Sequence, residues 1–99
     1  MLALRIKITA YIADDCVECK FHDAENREHT IHAPADLFEL NADSGYPQEG
    51  FIVCQFLGMY EYHAGKNVIL IDTASTWALF TVNEKHQFEV WAEQLVEID

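Results

Sequence analysis

The sequence predicts an all-β chain: a compact antiparallel small barrel or strongly curved sheet, SH3-like or OB-like, with at most one short helix. Two observations carry this. Apolar and polar residues alternate over much of the 99-residue chain, which is the period of a half-buried strand. The alternating runs are short, and clusters of turn formers separate them at hairpin spacing. The length suits a single domain, residues 1–99. Apolar residues make up 51% of it, enough for a packed core despite a formal net charge of −11.

The elements follow in order. Leu4, Ile6, Ile8, Ala10 and Ile12 fall on one side of a first strand, with Arg5, Lys7, Thr9 and Tyr11 on the other. Asp14 and Asp15 make a turn, and Val17–His22 alternates again, with Val17, Cys19 and Phe21 on one face. Residues 24–28 read as a second turn, and His29–His32 as the returning strand, with His22 facing His29 or His32 across the hairpin. Residues 33–50 form the long connection. Either Pro34 opens one helical turn through Asp36–Leu40, since proline suits the first helical position, or the segment is an irregular excursion. Ser44–Gly50 is rich in turn formers.

Phe51–Tyr62 is apolar on both faces and has Gly58 at its centre, which predicts one long bent strand serving two packing surfaces. His63–Asn67 reads as a hairpin loop, Val68–Ile71 as a strand and Trp77–Val82 as another. Asn83–His86 is then a turn, and Gln87–Trp91 returns. The tail from Ala92 is short and acidic, with Leu95 and Ile98 able to dock.

Composition excludes several classes. Six Lys and Arg against 17 Asp and Glu leave no basic footprint for gripping phosphate, so direct nucleic-acid binding is not expected. Arg5 and Lys7 interrupt the apolar residues of the N-terminus, so no signal-peptide core is expected there. No apolar stretch approaches the roughly 20 residues of a membrane span. Three cysteines cannot all pair within one chain, which predicts a cytoplasmic protein with reduced thiols.

Candidate chemistry is sparse. Cys16, Cys19 and His22, with Cys54 or His32, have the residue types of a zinc site. Strand alternation sends Cys19 and His22 to opposite faces, so no metal is expected, and Cys19 and Cys54 read as small core residues. Glycines are too few for a phosphate-cradling loop, and no nucleophile elbow occurs. An enzyme or ligand carrier would need a barrel-mouth pocket lined by Trp77, Tyr60 and a histidine. No cofactor is expected, and the chain reads as a non-enzymatic binding protein.

The remaining signal is collective. The acids are spread over the whole chain, which suits either solubility or a basic partner. Asp36, Glu39, Asp43, Tyr46 and Glu49, interleaved with Phe38 and Leu40, mix charge with apolar anchors as an interface does. These five are the candidate partner-binding residues. An open sheet edge would also allow a homodimer beside the monomer.

In size, acidity and single-domain organisation the chain resembles the small acidic immunity proteins of bacterial toxin systems, such as contact-dependent inhibition. The stretches FHDAENREHTI (21–31), YPQEGFIVC (46–54) and IDTASTW (71–77) are also similar to a group of uncharacterised small bacterial β-proteins. The second likeness implies no chemistry. The first implies an antitoxin that binds a basic toxin domain, often a nuclease, and occludes its active site. The alternatives are a nucleic-acid mimic and a housekeeping interaction domain.

Overall fold

In the computed structural model, which describes residues 1–61 and 65–98, the chain forms two antiparallel sheets. The first contains β1 (Leu2–Tyr11), β2 (Cys16–His22), β3 (Glu28–Pro34) and β4 (Gln48–Val53), in the order β3-β2-β1-β4. The second runs β5 (Gln55–Glu61), β6 (Asn67–Asp72) and β7 (Gln87–Trp91) in sequence order. A last short strand, β8 (Leu95–Glu97), pairs with Leu2–Leu4. Because Ala3 and Leu4 also pair with β4, β8 must lie on the β2 side of β1. The mainly β, antiparallel expectation holds, and among the described residues the sheets do not close into a barrel. No helix among the described residues is long and apolar enough to cross a membrane.

Alternation places the core. Leu4, Ile6 and Ile8 of β1, Val17, Cys19 and Phe21 of β2, Ile31 and Ala33 of β3, and Ile52 of β4 are all buried. They belong to one cluster with Ile71, Leu79, Phe88 and Val90 from the second half of the chain. Gly50 sits where it must: a Cβ there would come within 2.8 Å of Ile8 Cδ1 and 3.2 Å of Ile6 Cδ1. A bulge after Ile8 breaks the pairing with β2, so the inward series ends there and Ile12 is exposed.

Three expectations are corrected. Phe51–Tyr62 is not one strand. β4 ends at Val53, the Cys54 N–H bonds to the Leu2 carbonyl at 3.0 Å, and β5 then joins the other sheet. The chain therefore turns at Cys54, while Gly58 lies beside a bulge at Leu57 and has open space around it. Tyr62 and part of the expected loop at His63–Asn67 lie outside the described residues.

Trp77–Val82 is not a strand either. Leu79 and Thr81 point inward and Phe80 and Val82 outward, so the alternation is real. Yet Ala78 has a left-handed φ of 53°, and the segment meets β3 through a single bridge, Ile31 with Thr81. Alternation reports which side faces the core, whereas a strand also needs a ladder. Thr73 holds this excursion: it is fully buried, and its hydroxyl donates to the Leu79 carbonyl at 2.8 Å. The third correction is a register. His22 lies opposite Glu28, Phe21 opposite His29, and Glu18 opposite His32.

Candidate partner-binding surface

The β1–β2 turn sets up the acidic end. The Cys16 N–H bonds to the Ala13 carbonyl at 2.9 Å, and the two residues between, Asp14 and Asp15, have φ of 52° and 61°. Positive φ at both central positions is the signature of a type I′ hairpin turn, which aspartate tolerates better than most side chains. The register of β2 with β3 puts Cys16 opposite Pro34. The chain leaving β3 therefore passes beside that turn, and the Ala35 N–H bonds to the Asp15 carbonyl at 2.6 Å. A 3₁₀ turn over Ala35–Leu37 follows, with Asp36 exposed. The one-turn helical alternative for this segment is thus the nearer one, shortened to three residues.

Asp14, Asp15 and Asp36 line one groove with Cys16, Pro34 and Ala35, and no Lys or Arg is in that lining. Tyr11 is tied to this turn, its hydroxyl donating to Asp15 Oδ1 at 3.0 Å. That hydrogen bond, then burial and the Asp15 charge, push the Tyr11 phenol above its usual pKa, with a smaller contribution from Tyr46. Tyr46 reaches this end because Gln48 pairs with Ile8, three residues before Tyr11. Tyr11 is 48% exposed and Tyr46 42%.

The Gln48 side chain ties together the loop between the 3₁₀ turn and β4. Gln48 accepts from the Asn41 N–H at 2.9 Å and donates to the carbonyls of Asn41 at 2.7 Å and Gly45 at 3.0 Å. Asp43 is exposed in the turn so fixed, its N–H bonded to Asn41 Oδ1 at 3.0 Å.

The five sequence candidates thus divide. Asp36 and Tyr46 share the acidic end with Asp14, Asp15 and Tyr11, and Asp43 lies on the loop that carries Tyr46. Glu39 and Glu49 line a separate, apolar groove with Leu37, Phe38, Phe51 and Trp77. Glu49 is already engaged by Lys7 at 3.5 Å. The sequence marks Asp14 and Asp15 only as a turn and carries no signal for Tyr11 or Gln48. The signal that joins them is the β2–β3 register, which single-strand periodicity does not contain.

The bases are elsewhere. Lys7 and Lys20 sit on the outer face of the first sheet, and Lys20 contacts Glu28 at 3.5 Å and Glu18 at 3.8 Å. Arg27 lies in the β2–β3 turn, at the opposite end of β2 from Asp14 and Asp15.

Several other titratable groups serve the fold. Burial pushes the Cys19 thiol up to about 12 and the Cys54 thiol up to about 11, which suppresses their nucleophilic thiolate forms. Among the described residues no three His, Cys, Asp or Glu side chains converge as a metal site. His22 is exposed beside Glu28, whereas His29 packs against Phe21 and Phe88 and meets Asp23 Oδ2 at 2.8 Å. Asp23 Oδ1 also accepts from the N–H groups of Glu25 and Arg27, so it shapes the β2–β3 turn. Thr81 repeats the device: its hydroxyl accepts from the N–H groups of Asn83 and Lys85. Asn26 and Glu84 take the matching left-handed positions. Trp77 and Tyr60, the expected walls of a barrel-mouth pocket, are apart: Trp77 lines the Glu39–Glu49 groove, and Tyr60 is exposed on β5 of the other sheet.

Compared with protein families, curated proteins and solved structures, the chain matches none.

Proposed function

We propose that this chain is a non-enzymatic binding protein whose acidic end captures a basic protein. In its most concrete form it is an immunity protein that covers the substrate cleft of a toxic nuclease domain. The observation that carries the reading is the groove of Asp14, Asp15 and Asp36, lined by no base and flanked by exposed Tyr11 and Tyr46. Lys and Arg that hold a nucleic-acid backbone would meet these carboxylates instead of phosphates. The net charge of −11 steers such a partner from a distance. The two tyrosines supply amphipathic contact area, and tyrosine is enriched among residues that dominate binding energy. Asp43 extends the charged rim; Glu39 and Glu49 form a second contact at the apolar groove they line with Leu37, Phe38, Phe51 and Trp77. The three unpaired cysteines suit a reducing cytoplasm.

The test is capture by the tagged chain from nuclease-treated source cells, followed by assay of what is retained. The expected result is a basic domain, toxic on its own, whose nuclease activity the chain suppresses. Retention of a set of DNA-binding proteins without such an activity would favour nucleic-acid mimicry. An empty eluate, or a partner bound equally well after neutralising the three aspartates, would refute the reading.

A further inference from the structure

Strand β5 has no buried residue along its whole length. Phe56 is 53% exposed, Leu57 40%, Met59 59% and Tyr60 44%. One edge pairs with β6, and among the described residues the other edge pairs with no strand. The register shows what this surface is. Phe56 lies opposite Ile71 and Met59 opposite Ile69, and both isoleucines belong to or pack on the core. Phe56 and Met59 therefore continue the core face of the second sheet beyond the rim of the first. An apolar strand left open in this way is a template for pairing with another chain.

We propose that this edge is a homodimer interface, in which β5 pairs antiparallel with β5 of a second copy about a twofold axis near Met59. Charge favours a copy over the basic partner of the acidic end. β5 carries one charged side chain, Glu61, in a chain of net charge −11, so a cationic partner finds little attraction there. The pattern is also self-complementary. Centring the pair on Met59 sets the two methionines side by side on the core face. On the opposite face each Gly58 lies across from Tyr60 of the partner subunit. A Cβ at Gly58 would have nothing within 4 Å, which leaves room for that ring to lie over the glycine. The bulge at Leu57 ends the regular stretch and keeps the shared ladder short.

Area sets the strength. Four half-exposed side chains of this kind cover about 100 Å² each, or about 800 Å² for two copies before backbone is counted. That is below the roughly 1,200 Å² at which stable interfaces begin, so the dimer is weak and concentration-dependent. Two chains of −11 also repel each other, so added salt tightens the dimer. Capture at the acidic end has the opposite salt dependence, and the two interfaces are independent.

Sedimentation of the full chain over a range of protein and salt concentrations tests this. Raising salt from about 0.05 M to about 0.5 M should tighten the dimer at least about threefold. Met59→Lys should weaken it by about tenfold or more, because a lysine on an edge strand opposes pairing, while the thermal unfolding curve stays in place. Under mild oxidation Met59→Cys should give a disulfide-linked dimer, and Ala92→Cys, exposed away from β5, should not. A chain that stays monomeric throughout, a dimer indifferent to Met59→Lys, or equal crosslinking of the two cysteine variants would overturn the proposal.

Discussion

Asp23 is 5% exposed at its side chain and joins the β2–β3 turn to an aromatic cluster. Burial opposes its ionisation. The hydrogen bond with His29 and the N–H groups of Arg27 and Glu25 outweigh burial, and the carboxyl lies below its usual pKa. Asp23→Ala removes all of these bonds. Bonds to a charged group contribute about 1.5–3 kcal/mol each, but Glu25 and Arg27 are exposed, so water replaces part of the loss. The net cost is about 3 kcal/mol, or a fall in Tm of about 12–24 °C for a chain of this length. Asp23→Asn keeps an oxygen for both N–H groups and loses the charge, for about 1 kcal/mol. The contact with Arg27, which is 61% exposed, adds little to either figure.

Urea and thermal unfolding followed by circular dichroism measure both variants. A depressed carboxyl pKa stabilises the fold above the unfolded value of about 3.9 and loses that contribution as pH falls through the folded value. The gap between the parent and Asp23→Asn should therefore persist at neutral pH and close below about pH 4. Equal losses in the two variants would refute the assignment of turn-shaping to Oδ1. A gap that stayed open at pH 2 would refute the role given to the charge.

Other positions give separate checks by the same unfolding assay. Thr73→Val leaves the Leu79 carbonyl without its side-chain donor in a fully buried site, and should cost about 1–2 kcal/mol. Gly50→Ala presses on the Ile8 side chain and should cost about 1 kcal/mol, whereas Gly58→Ala, which meets nothing within 4 Å, should leave stability unchanged or slightly raised. Asp72 is likewise held below its usual pKa: burial opposes this, and the Ala74 N–H, His86 and Gln87 outweigh it. Asp72→Asn should thus lower stability at neutral pH, with the difference vanishing in acid, read from urea midpoints.

The sheet residues were legible because each packs on one face only. Leu4, Ile6 and Ile8, or Val17, Cys19 and Phe21, are dictated by period two, and the turns at Asp14–Asp15 and 24–28 by the residues that tolerate them. What failed were features that depend on pairing. Trp77–Val82 alternates without a ladder, and Phe51–Tyr62 reads as continuous because Cys54 is apolar on either side of the corner. His22 pairs with Glu28 rather than His29 or His32, because a turn's length fixes register and its sequence does not print it. The acidic end was legible in kind, as Asp36, Asp43 and Tyr46. Its completion by Tyr11, Asp14 and Asp15 depends on Cys16 lying opposite Pro34 and Ile8 opposite Gln48.

The most direct test of the proposed capture is the association rate between the chain and its captured basic partner, measured by stopped flow over a series of salt concentrations. The comparison variant carries Asp14→Asn, Asp15→Asn and Asp36→Asn. Asparagine accepts the left-handed conformation at 14 and 15 and leaves an oxygen for Tyr11, so the turn is kept while three charges go. At low salt the variant should associate about tenfold more slowly and show a flatter salt dependence. The same rate and the same slope as the parent would contradict the acidic end as the place of capture.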